Sequence, residues 1–436
     1  MNSIAPEHAA DFDADLQDQM YRKISRRLLP FLMICYTLSF IDRINVGFAH
    51  LQMAGELRFS DAVYGFGAGI FFIGYMVFEI PGNLLLARIG ARLTLSRIMV
   101  LWGLGSAAML FVRSPVEFYV CRFLLGVFEA GFFPGVMFYL GTWYPPARRA
   151  KAFAVFMTAM YAAGLIAAPV SGAILAHLDG VWRLSGWQWL FLAEGLPSCA
   201  MGVVAYFYLD DAPADARWLS DAEKARIRAD QAVAAPAHAD GHGEKGLLSH
   251  PALWLLCAGN FAIASAGYAL VFWLPSLLRR VGSHDAVQIG GLSAFPFLCG
   301  IVAMLWAGRR ADRKGAWRTY CVASMVVGAV AMFALASSTS TVTSVSAICV
   351  ALAALAAALP TFWALPGLLL PRRAMAVTVA TITTVGALGG FASPYLIGLL
   401  NTVTGSMQAG LHANAWLLAL GSVAVYLTHR SSASGN

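Results

Sequence analysis

Apolar runs of about 20 residues or more recur from one end of the chain to the other, at 28–50, 64–87, 93–112, 116–141, 151–176, 187–209, 252–278, 287–308, 317–336, 343–370, 374–401 and 409–428. Each is long enough to cross a hydrocarbon core of roughly 30 Å as a helix. A helix is also the form in which one lipid-exposed segment satisfies its own backbone. Short turns separate most of the runs, so the pattern predicts an all-α polytopic membrane protein with twelve transmembrane helices. One long polar stretch parts six runs from six. The expected domains are an N-terminal tail (1–27), a first six-helix bundle (28–209), a linker (210–250), a second six-helix bundle (251–429) and a C-terminal tail (430–436).

The polar segments carry their own signals. Glu7, Asp11, Asp13, Asp15 and Asp18 make the first 20 residues acidic, the opposite of the basic start of a cleavable signal. That tail is expected to be disordered, with the first span directing insertion. In the linker, Ser220 to Ala229 reads as a short helix, Ser220 as its N-cap and Glu223 at the capping-box position. Ala232 to Gly246 follows as Ala-, Pro- and Gly-rich linker. His238, His242 and His250 read as solvent-exposed histidines rather than metal ligands.

Composition sharpens the class. With 59% hydrophobic and 12% charged residues, the chain lies far outside the soluble norm of roughly 25% charged. The net charge of +7 raises nucleic acid as a partner, but its placement argues otherwise. With the N-terminus assigned to the cytoplasm, 23 of the 30 Lys and Arg fall on cytoplasmic segments. Five fall on outer loops (Arg58, Arg113, Arg183, Arg279, Arg280) and two within spans (Arg43, Arg122). Lys and Arg concentrate on the cytoplasmic side of membrane proteins, so both termini are expected on the cytoplasmic side of the cell membrane and no nucleic acid is implied. The seven cysteines are isolated within apolar runs, so neither a disulfide framework nor a metal site is expected. No P-loop, HExxH or GxSxG is present; an enzyme, an ATP-driven pump and a cofactor are not expected.

A charge at the centre of a membrane helix costs about 2.5–3.5 kcal/mol on translocon scales, so charges found there usually face a cavity and have a partner. Six stand well within spans: Asp42, Arg43, Glu79, Arg122, Glu129 and Glu194, all in the first half. The second half offers neutral polar groups at depth, among them Asn260, Tyr268, Thr378 and Thr383. Arginine suits a carboxylate because its planar fork donates two parallel hydrogen bonds and stays charged, which makes Arg43 the first candidate for a substrate clamp. Arg122 and Glu129, seven apart, fall on one helix face; a purely structural salt-bridge network is the alternative for that pair. Tyr75 and Glu79 share a face of the second span, Glu79 reading as gating or structural and Glu194 as structural.

The halves also repeat. Gly82-Asn83-Leu84-Leu85-Leu86-Ala87-Arg88-Ile89-Gly90-Ala91-Arg92 follows the second span, and Gly308-Arg309-Arg310-Ala311-Asp312-Arg313-Lys314-Gly315 follows the eighth. Each is expected at a short turn that needs glycine. The second resembles the G-x-x-x-D-R-x-G signature of the major facilitator superfamily, and the first a variant from its anion:cation symporter branch. Leu38 to Ala49, Gly186 to Pro197 and Trp363-Ala364-Leu365-Pro366 support that branch. Within it the chain is most similar to bacterial permeases for tartrate, phthalate, hydroxyphenylacetate and sugar acids.

The resemblance implies two pseudo-symmetric six-helix bundles with alternating access. It implies a secondary transporter importing a small organic acid anion (aromatic acid, dicarboxylate or sugar acid) with protons, as a monomer in the inner membrane. Arg43 would contact the substrate carboxylate, with Tyr75, Arg122, Asn45, Tyr268 and Thr383 as further substrate contacts. Asp42 and Glu129 would carry protons, with Arg122 modulating them. Glu79, Gly82, Arg88, Gly90, Arg92, Asp312, Arg313 and Gly315 would serve gating and structure. The alternatives are a proton-driven exporter or exchanger of similar acids, and a non-transporting sensor on the same fold. Phe40, Thr383 and Ala387 stand where relatives often carry tyrosine and asparagines, which tilts the expectation toward a less hydroxylated or aromatic acid.

Overall fold

The structure, a computed structural model, describes residues 5–233, 247–282, 285–370 and 375–433. Helices α1 (Ala5–Glu56), α2 (Asp61–Ile89), α3 (Ala91–Ala108), α4 (Pro115–Glu129), α5 (Phe132–Trp143), α6 (Pro146–His177) and α7 (Gly186–Tyr208) build the first half. Helix α8 (Asp221–Val233) lies in the linker. The second half comprises α9 (Pro251–Arg280), α10 (Ala286–Lys314), α11 (Trp317–Ser337), α12 (Thr341–Leu369), α13 (Met375–Thr404) and α14 (Met407–Ala433). Among the described residues twelve segments are long and apolar enough to cross a membrane, α4 and α5 together making one of them (Pro115–Trp143). Twelve is even, so the chain ends on the side where it began.

Each half has its own packing. In the first, α3 packs on α7, α2 on α4, and α1 on α6 and α7. In the second, α11 packs on α12 and α14, α9 on α13 and α14, and α10 on α12. Between them run α2 against α13, α6 against α10 and α1 against α9.

The links between halves gather at the end away from the termini. Arg279 Nη1 donates to the Leu51 carbonyl at 2.6 Å, and the Tyr64 hydroxyl to the Phe272 carbonyl at 2.7 Å. His50 Nδ1 lies 3.1 Å from the Ser276 hydroxyl, while its Nε2 stands 3.2 Å from an Asp61 oxygen. The amide of Asn401 donates to the other Asp61 oxygen. Beside them α6 and α10 touch through glycine: a Cβ on Gly172 would lie 2.4 Å from the Ala286 carbonyl oxygen. No side chain fits there, so the backbones close this end.

Two local expectations change. The tail does not end where the first apolar run begins: α1 is helical from Ala5, and Met20, Tyr21 and Ile24 are buried. The cause is a partner. Gln17 and Tyr21 donate to Asp230 of α8 at 2.8 and 2.9 Å, and Lys23 reaches Glu223 at 2.9 Å. The turn after the second span falls at Gly90 (φ 85°) and the one after the eighth at Gly315 (φ 61°), both inside the expected stretches, with α10 running unbroken through Gly308. Gly82 lies in α2 against the Ala130 carbonyl, where a Cβ would stand 3.0 Å away. The second change is in the fourth span, expected as one run: it breaks at Ala130–Gly131, Gly131 adopting a left-handed φ of 89°.

The expected capping box forms: Ser220 N–H donates to Glu223 at 2.7 Å and Glu223 N–H to the Ser220 hydroxyl at 3.2 Å. His250 caps α9, its Nδ1 accepting from Ala252 N–H at 3.3 Å. His238 and His242, and most of the expected Ala232 to Gly246 linker, lie outside the described residues.

Candidate functional site

A cavity of about 260 Å³ lies between the halves, on the termini side of the closed end. Its walls come from α1 (Tyr36, Phe40, Arg43), α2 (Phe72, Tyr75), α5 (Phe133), α6 (Met157, Met160, Tyr161) and the facing helices of the second half. Arg43 is the one charged side chain among the described residues that line it.

Helix α1 presents Asp42 and Arg43 in different directions, because successive residues on an α-helix are turned by roughly 100°. Arg43 faces the cavity. Its Nη2 donates to Glu129 Oε1, its Nη1 to the Tyr268 hydroxyl at 3.1 Å, and its buried Nε has no partner. Glu129 is 2% exposed and also accepts from the Ser39 hydroxyl at 2.7 Å, one helical turn before Arg43. It is the last residue of α4, at the helix break. A helix C-terminus disfavours negative charge, so Arg43 is the group that makes an ionised Glu129 tolerable. The Arg43 guanidinium lies 5.1 Å from the centre of the Phe71 ring and 5.6 Å from that of Tyr75, close enough for cation–π attraction.

Asp42 turns away from the cavity, into the core of the first half. Its carboxylate accepts from Ser106 at 2.6 Å, Ser198 at 2.7 Å and the Trp102 indole at 3.1 Å. Asn45 is fully buried and off the cavity, beside Glu194, whose Oε1 accepts from Ser171 at 2.7 Å. Arg122 is fully buried as well, donating to the Gly67 and Ala68 carbonyls at 3.3 Å each. The Phe71 ring, 5.2 Å from its guanidinium, lies within reach of both arginines. Neither Asn45 nor Arg122 therefore meets a cavity-bound molecule in this conformation, against the expectation that both contact substrate. Two carbonyls already hold Arg122 behind α2.

Tyr75, Tyr268 and Thr383 do line the cavity. The Thr383 hydroxyl donates back to carbonyls of its own helix, Val379 at 2.9 Å and Ala380 at 3.0 Å. Glu79 is partly buried on α2, one turn from Tyr75 and off the cavity lining. Of the turn residues, Gly90 lies against the Asp211 carboxylate, where a Cβ would stand 2.5 Å from Oδ1, and the same oxygen accepts from Arg92 N–H at 2.8 Å. Arg92 also stacks on Tyr206 at 4.7 Å, whereas Arg88, Asp312 and Arg313 are exposed.

The structure adds lining residues that no charge marked. Asn260 reaches the cavity from α9, its Nδ2 donating to the Ile382 carbonyl at 3.0 Å. Tyr161, Phe133 and Trp363 complete much of the aromatic wall. Trp363 belongs to a stretch already notable in the sequence; Tyr161 and Phe133 sit in ordinary apolar runs and carried no separate signal.

Twelve spans in two halves, with a cavity between them closed at one end, define a membrane carrier rather than an enzyme. Among solved structures, a bacterial homolog of the human lysosomal transporter Spinster, inward-facing and unoccupied, shares the fold with a TM-score of 0.79 at 18% identity, over 94% of this chain and 98% of that one. The profile of the Major Facilitator Superfamily matches residues 32–394, and the chain belongs to that family. It is a multi-pass membrane protein and a secondary transporter. It is similar to "Putative metabolite transport protein NicT" of Pseudomonas putida, 41% identical over 92% of each chain. A "Putative tartrate transporter" of Agrobacterium vitis is 37% identical over 96% of this chain and 93% of its own. A "Quinolone resistance transporter" of Acinetobacter baumannii is 37% identical over 95% and 96%.

Proposed function

We propose that the protein imports a small organic acid anion with protons across the inner membrane, both termini being cytoplasmic. The observation that supports this reading best is the Arg43–Glu129 pair, with Arg43 on the cavity wall and Glu129 behind it. While Glu129 is ionised it occupies one arm of the guanidinium. A proton on Glu129 ends that claim and frees the fork for a substrate carboxylate, held by two parallel hydrogen bonds. An anion arriving before the proton meets like charge at Glu129, which disfavours the pair of carboxylates. Anion and proton thus favour each other's binding, and by linkage the coupling is mutual. Asp42, hydrogen-bonded by neutral groups, is the second proton position.

Alternating access follows from the packing. The end away from the termini is closed by hydrogen bonds and glycine contacts, so with cytoplasmic termini this conformation faces inward. Rocking the halves about the central site opens the other end. One proton with a monoanion crosses electroneutrally; two move one net positive charge, gaining about 2.3 kcal/mol per 100 mV. The test is uptake of labelled organic acids into proteoliposomes under an imposed inward proton gradient. Accumulation that collapses with a protonophore is expected; gradient-independent behaviour overturns symport.

A proton-driven exporter or exchanger of similar acids is the second reading, favoured by the relative named for quinolone resistance. In that reading acid and proton would occupy the Arg43–Glu129 pair in turn rather than together, so that inward protons drive the acid out. Counterflow with gradients of each sign separates the two.

A further inference from the structure

We infer that the substrate class is a planar aromatic monocarboxylate, rather than a dicarboxylate or a polyhydroxylated acid. The inference rests on the proposed function and goes further, by asking what body the carboxylate is attached to.

The cavity provides for one carboxylate. Arg43 is the one charged lining residue among those described, and Arg122, the other arginine at depth, is fully buried behind α2. A second carboxylate would leave water for a site with no cation to meet it, and an unpaired buried charge is strongly unfavourable. Hydroxyl groups fare little better. On the second-half wall Asn260 Nδ2 is engaged with the Ile382 carbonyl, the Thr383 hydroxyl with its own helix, and the Tyr268 hydroxyl with Arg43 Nη1. Asn260 packs against Gly386, where a Cβ would lie 2.2 Å from its amide nitrogen. Phe40 and Ala387 add no hydrogen-bonding group.

What the walls do offer is flat apolar surface. Phe40, Phe72, Tyr75, Phe133, Tyr161 and Trp363 all face the space beside Arg43, and Met157 and Met160 lie among them. Aromatic rings gain from edge-to-face and offset contacts beyond simple burial, and methionine sulfur adds favourable contacts to a ring. A benzoate-like ion matches this lining: its carboxylate takes the freed fork of Arg43 and its ring takes the aromatic wall.

The experiment is competitive binding to the purified full-length protein at acidic pH, read by thermal shift and by uptake into proteoliposomes. The probes are benzoate and 4-hydroxybenzoate, cyclohexanecarboxylate with the same charge but no aromatic ring, tartrate, and gluconate. The aromatic pair is expected to bind roughly tenfold or more tighter than tartrate or gluconate, with cyclohexanecarboxylate between. In the Ala387→Asn variant, which adds an amide to the wall, the ratio of benzoate to tartrate affinity is expected to fall. Tartrate or gluconate bound as tightly as benzoate, or more so, overturns the class and leaves acid transport standing. Cyclohexanecarboxylate matching benzoate overturns the aromatic requirement. If no carboxylate binds or is taken up, the proposed function itself falls, and this inference with it.

Discussion

A helix turns through roughly 100° per residue, so Asp42 and Arg43 leave α1 toward different neighbours. One meets three neutral donors in the core of the first half; the other meets Glu129, Tyr268 and the cavity. This separation assigns them different tests. Arg43→Ala is expected to abolish binding of the acid in a thermal-shift assay, and Arg43→Lys to weaken it by roughly tenfold or more, since an ammonium keeps the charge but not the fork. Glu129→Gln mimics the protonated side chain; exchange of acid across the membrane should persist while accumulation driven by a proton gradient is lost. Normal accumulation by that variant removes Glu129 from proton coupling. The clamp candidate was legible in the sequence because a charge in lipid is costly enough to demand a use. The turning of Arg122 away from the cavity was not, because two carbonyls of another helix decide it.

At the scale of elements, the break between α4 and α5 is the feature with most consequence, since it ends α4 at Glu129. A left-handed residue other than glycine costs roughly 1–2 kcal/mol. Gly131→Ala, at φ 89°, is therefore expected to lower the melting temperature and to reduce transport, with Gly131→Asn milder, as thermal denaturation and uptake would measure. Apolarity alone could not tell a broken span from a continuous one. The linker helix was easier to read, because a capping box is local chemistry. Its Glu223 carboxyl is pushed up by burial, yet the Ser220 amide and Lys23 outweigh this and hold it below the ordinary value of 4.5. A carboxyl lowered on folding adds stability above the ordinary value and loses it as pH falls through its folded value. Docking of α8 on α1 is thus expected to weaken on acidification below about that value, with Glu223→Gln already weakened at neutral pH, as hydrogen exchange over α8 would report.

Across the whole molecule the two halves meet at one end through backbone contact and a polar cluster of His50, Asp61, Ser276 and Asn401. Such contacts must separate in any state that opens this end. Gly172→Leu places a side chain where a Cβ already falls 2.4 Å from the Ala286 carbonyl oxygen. It is expected to hold the end apart, so that a cysteine introduced at Ser276 in a cysteine-free background reacts faster with an impermeant maleimide, while net uptake falls. Unchanged reactivity would mean that the contact yields without opening. The expectation of two six-span halves needed only the long polar interval and the repeated loops. Which end is closed could not be read, because glycines at 172 and 290 lie on different helices whose approach no local pattern records.

The sequence by itself determined the number of spans, the division into halves, the bias of basic residues to one side and the short inventory of charges kept at depth. Each of these is local or additive: hydropathy, turn chemistry and the cost of an ion in hydrocarbon act on a segment wherever it ends up. Tertiary structure alone decided that Arg43 pairs with Glu129 across two helices, that Asp42 and Arg122 are turned into the protein, and that aromatic side chains from both halves enclose one space. Those outcomes depend on how closely helix backbones approach and at what rotation, and a chain written as a line carries that information only jointly across all its contacts.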